Sequence, residues 1–299
     1  MSTDVLSTLL GQCLAGKYRL ARHIGNGGMA IVFAAERLHI GDLAAVKYLH
    51  PAFCGDELKK RRFQLEAYTT SAVKHPNVVV VYDFDVTPSG CPYMVLELLR
   101  GTTLASLLKR TRIISLNKVL AIMEPVCMAL SLAHQKSILH RDLKPSNVFL
   151  HQLEDGTEVI KLIDFGIGKN LEAKDGQLTQ EGFIIGTPEY IAPERYTGTN
   201  IDERSDIYSL GILLFRMLTG RVPFTGKTPT EVLQKHLKEP VPAPNTFNPS
   251  IPQEVSEVIL RALAKSPQDR FSSCESLLSA LRRACISSGE TMEHFRVQY

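Results

Sequence analysis

Between Tyr18 and Lys47 apolar and polar positions alternate, the pattern of strands with a face in a core. The runs Tyr18–Ile24, Ala30–Glu36 and Leu43–Lys47 are predicted strands, the first two joined by Gly25-Asn26-Gly27-Gly28-Met29. At Asp56–Val73 the period changes: Leu58, Phe63, Leu65 and Ala72 suit an amphipathic helix, which His75-Pro76-Asn77 stops. Val78–Asp83 and Tyr93–Glu97 add two strands, so five strands and one helix are expected before residue 98. After Arg100-Gly101 the pattern turns helical. Leu116–Gln135 is apolar on most faces, as in a helix buried within a larger lobe, and Pro125 should kink it or mark its start. Apolar runs Val148–Leu150 and Val159–Ile163 follow, then a helix within Asp202–Leu218 that Asp206 could cap. Pro240–Pro252 reads as a proline-rich loop, and Glu254–Lys265 and Glu275–Cys285 close the chain as helices. Residues 1–17 and the C-terminal end carry no pattern.

Composition narrows this little. A chain of 299 residues with 44% hydrophobic and 22% charged residues suits a soluble globular protein with a sizeable core. A net charge of +3 is too small to make nucleic acid or an acidic membrane the main partner. The six cysteines, Cys13, Cys54, Cys91, Cys127, Cys274 and Cys285, contain no C-x-x-C pair. Neither a zinc site nor a disulfide framework is expected, and a reducing cytosol is the default. No apolar run is expected to reach the roughly 18–20 residues of a membrane span, and Met1–Leu10 lacks the basic start of a signal peptide. An anchor beyond Tyr299 in a longer protein stays open.

The chemistry concentrates in His140-Arg141-Asp142-Leu143-Lys144-Pro145-Ser146-Asn147, which sets a carboxylate, an ammonium and a carboxamide in one loop that Pro145 keeps from becoming helix or ladder. A second acid, Asp164, stands in Ile163-Asp164-Phe165-Gly166. Upstream, Lys47 ends a strand and Glu66 lies on the following helix. Either loop acid alone would read as a cap or turn residue. Together, in this order, the elements closely resemble the H-R-D-x-x-x-x-N and D-F-G loops of protein kinases. Glycines that join two strands, with Ala30 at the third glycine position, resemble the phosphate loop of bacterial Hanks-type Ser/Thr kinases rather than a dinucleotide fold, where they open a helix.

The resemblance implies an α+β, two-lobed kinase fold: a small five-stranded lobe with one helix over about 18–97, a hinge at 97–100 and a mainly helical lobe over 101–284. Residues 1–17 are then a lead-in and 285–299 a tail. It implies Asp142 as the base that accepts or orients the proton of a Ser or Thr hydroxyl, and Lys144 as a cation for the γ-phosphate. Lys47 grips the α/β-phosphates and Glu66 orients it. Asn147 and Asp164 hold Mg²⁺, with Mn²⁺ as an alternative. ATP would lie among Ile24, Gly25, Asn26, Gly27, Val32, Ala45 and Phe149, with Leu96 as gatekeeper and the Glu97 carbonyl and Leu99 amide reading adenine. In the activation segment Thr179 is the candidate phosphorylation site, received by Arg62, Arg141 and Lys169, and Glu181 supplies a permanent charge. Thr187 seats the acceptor against the catalytic loop. Glu194 with Arg270, and Asp206 holding the His140–Arg141 turn, are structural. The partners implied are protein substrates and ATP, without nucleic acid or membrane contact, with pairing of two copies through the small lobe as an option. The location implied is cytoplasmic, alone or as part of a membrane-anchored protein. The competing readings are a silent kinase-fold scaffold, against which all five chemical residues stand, and a small-molecule phosphotransferase, against which Ala192-Pro193-Glu194 stands.

Overall fold

The strand Tyr18–Asn26 alternates buried and exposed positions, while Ala30–Arg37 and Asp42–Leu49 are buried on both faces of one antiparallel sheet. The computed structural model describes residues 3–166, 187–198 and 201–287. Strands β1 (Cys13–Leu14), β2 (Tyr18–Asn26), β3 (Ala30–Arg37), β4 (Asp42–Leu49), β5 (Val81–Val86) and β6 (Pro92–Glu97) form a sheet in the order β1-β2-β3-β4-β6-β5. The five expected strands are present, and the two-residue β1 extends the edge. Phe33, Val46, Tyr93 and Val95 lie on one face, under Leu9, Val5 and Leu6 of a short helix α1 (Thr3–Leu9). Ala30, Leu49 and Met94 lie on the other, against Phe63 and Ala67 of α2 (Glu57–Ala72). Asp56 starts α2 by accepting the amides of Leu58 at 3.0 Å and Lys59 at 3.1 Å, a side-chain N-cap. Residues 1–17 are therefore no unpatterned lead-in, because α1 and β1 belong to the small lobe's packing.

Two further expectations are corrected in this lobe. Val78–Val80 do not open β5. Val79 N–H donates to Leu162 O at 2.9 Å and Leu162 N–H to Asn77 O at 2.7 Å, so this run is bonded to the large lobe instead. Cys54 and Cys91, 37 residues apart, are joined in a disulfide with Cα atoms 4.9 Å apart, although no framework was expected. Cys91 precedes β6 and Cys54 follows β4; sheet register, not sequence spacing, brings them together.

The large lobe is built from α3 (Leu104–Thr111), α4 (Leu116–Gln135), α5 (Pro193–Thr197), α6 (Arg204–Thr219), α7 (Pro229–Lys238), α8 (Gln253–Ala262) and α9 (Cys274–Ser287), with a small sheet β7 (Gly101–Thr103), β8 (Val148–Gln152) and β9 (Glu158–Leu162). Helices α3, α5 and α7 were not read from the pattern. Helix α4 runs unbroken through Pro125, so that proline does not mark its start; burial on both sides of it outweighs the one backbone bond it removes. Contrary to expectation, α4 is by length and composition apolar enough to cross a membrane, but it is packed in the lobe's core with α6 and α9. Asp206 caps nothing in α6, since its carboxylate is taken by other partners described below.

Candidate active site

The strand register sets the roof of a cleft. Val32 is paired with Lys47 and Ala45 with Leu96, so the period of two places all four side chains on one face of the sheet. Ala45 is buried, while Val32, Leu96 and, across the cleft on β8, Phe149 are only partly covered. The glycine hairpin closes with Gly27 N–H donating to Ala30 O at 2.7 Å, and Ile24, Asn26 and Gly27 are exposed beside it.

Lys47 joins three elements. Its ammonium lies 2.5 Å from Glu66 Oε1 on α2 and 2.7 Å from Asp164 Oδ1 in the loop after β9. Burial opposes the charged lysine, yet Asp164 and Glu66 carry its pKa above the ordinary value. Burial pushes Glu66 up to about 7 against the pull of Lys47. Around Asp164 desolvation also pushes upward, but Lys47 outweighs it and holds that carboxyl below its ordinary value. One cation thus stands between two carboxylates. The Asp164 side chain is 43% exposed, so it is the one that can change partners.

On the large-lobe side, Asn147 Nδ2 donates to Asp142 O at 2.8 Å and Asp142 Oδ2 at 3.2 Å, while Lys144 Nζ lies 2.9 Å from the same Oδ2. Gly166 N–H donates to His140 O at 2.8 Å, and a Cβ there would meet Asp142 Cβ at 2.5 Å. Only glycine lets the two loops approach so closely. Phe165 is fully buried with its ring 4.7 Å from that of His140. Arg141 and Asp164 both sit in the left-handed region, at φ 62° and 59°. Such backbone costs about 1–3 kcal/mol where side chains crowd it, and persists because the surroundings hold it.

What holds Arg141 is visible. Asp206 accepts the amides of His140 at 2.8 Å and Arg141 at 2.9 Å, and His134 Nε2 lies 2.9 Å from the same carboxylate. Burial would raise Asp206, but the His134 hydrogen bond and these neighbours pull it down to about 2. Below, Arg270 uses all five N–H donors: two on Glu194, at 2.8 Å each, and three on the carbonyls of Arg204, Ala264 and Lys265. Ser205 adds a 2.6 Å bond to Glu194, whose pKa is lowered because Arg270 outweighs the burial.

Three contributors were not read from the sequence. Arg195 donates to the Arg141 carbonyl, so the peptide that carries Asp142 is held at both ends; its only signal was adjacency to Glu194. Lys161 lies 2.7 Å from Glu97 Oε1, which also accepts the Val80 amide at 2.8 Å. His134 gave no signal beyond a place on an apolar helix. Thr187 stands at the start of the turn Pro188–Tyr190, and among the described residues it makes no hydrogen bond to the catalytic loop, where Lys144 and Asn147 occupy the Asp142 carboxylate. Arg62 is buried on α2 and Arg141 partly buried, whereas Lys169, Thr179 and Glu181 lie outside the described residues.

The family model for the protein kinase domain matches residues 18–281. The chain belongs to the protein kinase family. It is 38% identical to the serine/threonine-protein kinase Pkn1 of Myxococcus xanthus, over 94% of this chain and 39% of that protein. It is 35% identical to PrkC of Bacillus subtilis, over 97% of this chain and 44% of the relative. The chain thus spans less than half the length of these two relatives. A crystal structure of the Mycobacterium tuberculosis PknI kinase domain superimposes with a TM-score of 0.71 at 29% identity, covering 92% of this chain and 98% of that one.

Protein kinases use ATP and a divalent metal. Among the described residues no group of three or more His, Cys, Asp or Glu side chains could hold a metal by itself. The oxygens of Asn147 and the exposed Asp164 do fit a hard cation that takes its remaining ligands from phosphates and water.

Proposed function

We propose that this chain is a Ser/Thr protein kinase domain that transfers the γ-phosphoryl group of ATP to protein hydroxyls. The observation that carries this reading is the Lys47–Glu66–Asp164 cluster, which spans both lobes beside Asp142. Bound with ATP, Mg²⁺ or Mn²⁺ supplies charge neutralisation at the phosphates, and Asn147 and Asp164 are the residues that would hold it. Lys47, kept charged and oriented by Glu66, binds the α/β-phosphates, and the Gly25–Gly27 backbone covers them. The hinge groups of Glu97 and Leu99 read adenine between Val32, Ala45 and Phe149, with Leu96 behind.

Asp142 orients the acceptor hydroxyl and takes its proton as the new O–P bond forms and the β–γ bridging bond breaks. Lys144, 2.9 Å from Asp142, neutralises charge on the phosphoryl group in transit. Catalysis here is positioning and electrostatics. The same reading includes self-phosphorylation on Thr179 with Arg62, Arg141 and Lys169 as receivers, a standing charge from Glu181, and Thr187 as the acceptor's seat. It also includes a cytoplasmic location and pairing of two copies through the small lobe.

The test is Mg²⁺-dependent transfer from labelled ATP, wild type beside Asp142→Asn, with mass mapping of residues 167–186. A fall of about 10²–10⁴ in rate is expected, the usual contribution of a positioned base, with phosphate on Thr179 in the wild type alone. ATP binding without transfer in the wild type would point to a scaffold instead.

A further inference from the structure

The chain between the two members of the small-lobe ion pair is short and clipped at its middle. Lys47 lies two residues before the end of β4, a single turn covers Pro51–Phe53, and Asp56 starts the helix that carries Glu66. Cys54 stands between that turn and the cap. Its disulfide partner, Cys91, immediately precedes β6, whose Tyr93 is paired with Tyr48 of β4. The bond therefore fastens the start of α2 to the sheet that holds Lys47. Its two residues differ in access: Cys54 is half-buried, whereas Cys91 is 5% exposed. As a thiol, Cys54 has acceptors within its own turn, with its sulfur 3.6 Å from His50 O and 3.8 Å from Leu49 O.

We infer that Cys54 and Cys91 form a reversible redox modification site whose oxidised state fixes the start of α2 and, through it, the Lys47–Glu66 pair. The link to catalysis rests on the kinase reading, and the reversibility rests on the cytoplasmic location proposed with it. Intracellular disulfides in a reducing compartment are transient and serve catalysis or redox sensing, and the oxidant named here is a peroxide. The Cys54 thiolate attacks one peroxide oxygen, the O–O bond breaks, and a sulfenic acid and hydroxide result. The Cys91 thiolate then attacks the Cys54 sulfur, the S–O bond breaks and a second hydroxide leaves. The two thiol protons end in two waters, and the two electrons lost by sulfur reduce the peroxide. A dithiol reverses the step by exchange. The accessible Cys54 reacts first and the buried Cys91 resolves, the order that sulfenic acid chemistry requires of a sensor. Of the other cysteines, Cys127, Cys274 and Cys285 are buried in the large lobe and Cys13 is exposed.

The oxidised arrangement is the one with Glu66 at 2.5 Å from Lys47, so oxidation favours the competent form. Whole protein is reduced with dithiothreitol, treated with hydrogen peroxide, alkylated and mapped by mass. In parallel, hydrogen exchange of α2 and kcat/KM for ATP are measured in each state. Expected are a Cys54–Cys91 cross-linked peptide, slower exchange in α2 and a rise on the order of fivefold in kcat/KM, the low end of usual coupling between sites. Cys54→Ser should keep the reduced rate and lose the response, and Cys13→Ser should keep the response. Peroxide that modifies Cys13 without forming the cross-link would overturn the site. A cross-link that leaves α2 exchange unchanged would overturn the coupling. A cross-link with slowed exchange but no transfer in either state would strike the kinase reading and leave the redox site standing.

Discussion

Two buried ion clusters in this chain are built on opposite plans. Around Arg270 every donor is matched: two carboxylate oxygens and three carbonyls take five N–H groups, and the guanidinium also lies 4.7 Å from the Tyr208 ring centre. Around Lys47 a single ammonium serves two carboxylates from different elements, and one of them is partly open to the cleft. The first cluster is saturated and has no chemistry left to do. The second shares one ammonium between two carboxylates, so the exposed Asp164 oxygens can turn to a cation while Lys47 turns to phosphates. The difference teaches that burial of charge does not by itself mark function; an unbalanced set with one exposed member does.

The saturated cluster should give the largest effect. Arg270→Ala leaves Glu194 buried without its cation and should destabilise the fold by about 3–5 kcal/mol, read from denaturant unfolding. An unchanged midpoint would mean the staple is ornamental. At the other end, Lys47→Met should leave the midpoint nearly unchanged, because Glu66 can take up a proton, while kcat/KM falls by about 10²–10³, the usual loss of one electrostatic donor. If stability fell as much as in Arg270→Ala, the two clusters would not differ in kind.

Gly166→Ala sharpens the contrast at the junction of the loops. Its Cβ would overlap that of Asp142, and overpacking of this sort costs roughly 1–3 kcal/mol. The strain should appear chiefly as lost transfer rate, with ATP affinity measured separately by calorimetry and little changed.

The remaining effect is spread along pH as a slope. Glu66 in the folded chain is pushed up to about 7 from an ordinary 4.5, so between those values the folded state keeps a proton that the unfolded chain has released. This contribution is complete below 4.5 and is lost as pH rises through about 7, at no more than about 1.4 kcal/mol per pH unit. Glu66→Gln should remove that slope from the difference in unfolding free energy, measured between pH 4 and 8.

Much of this was legible in the letters, for identifiable reasons. A period of two marks β2, which keeps one face exposed, whereas β3 and β4 show as nearly continuous apolar runs because both of their faces are covered. The loop residues were legible because a carboxylate, an ammonium and a carboxamide within eight positions have few structural uses together. Short helices escaped: α1 has seven residues, too few for a period to show. Asp206 sits where a cap would, but its partners His140 and Arg141 lie 66 and 65 residues away. Arg195 donates to a backbone carbonyl, and a carbonyl has no letter of its own. The Cys54–Cys91 bond likewise depends on register, which pairs residues that spacing alone leaves unrelated.

The segment Asn77–Val79 runs parallel to the end of β9, with Val78 bridged to Leu162. It is bonded to Leu162, and Asn77 Nδ2 adds a 2.7 Å bond to Ile160 O, while Glu97 at the connection between lobes is tied to Lys161. The small lobe is thus tied to one strand of the large lobe at two places, in addition to the Lys47–Asp164 pair and the bond from Lys136 to the Ala72 carbonyl. Strand β9 thus serves as the post on which the small lobe is hung, just before the loop that carries Asp164.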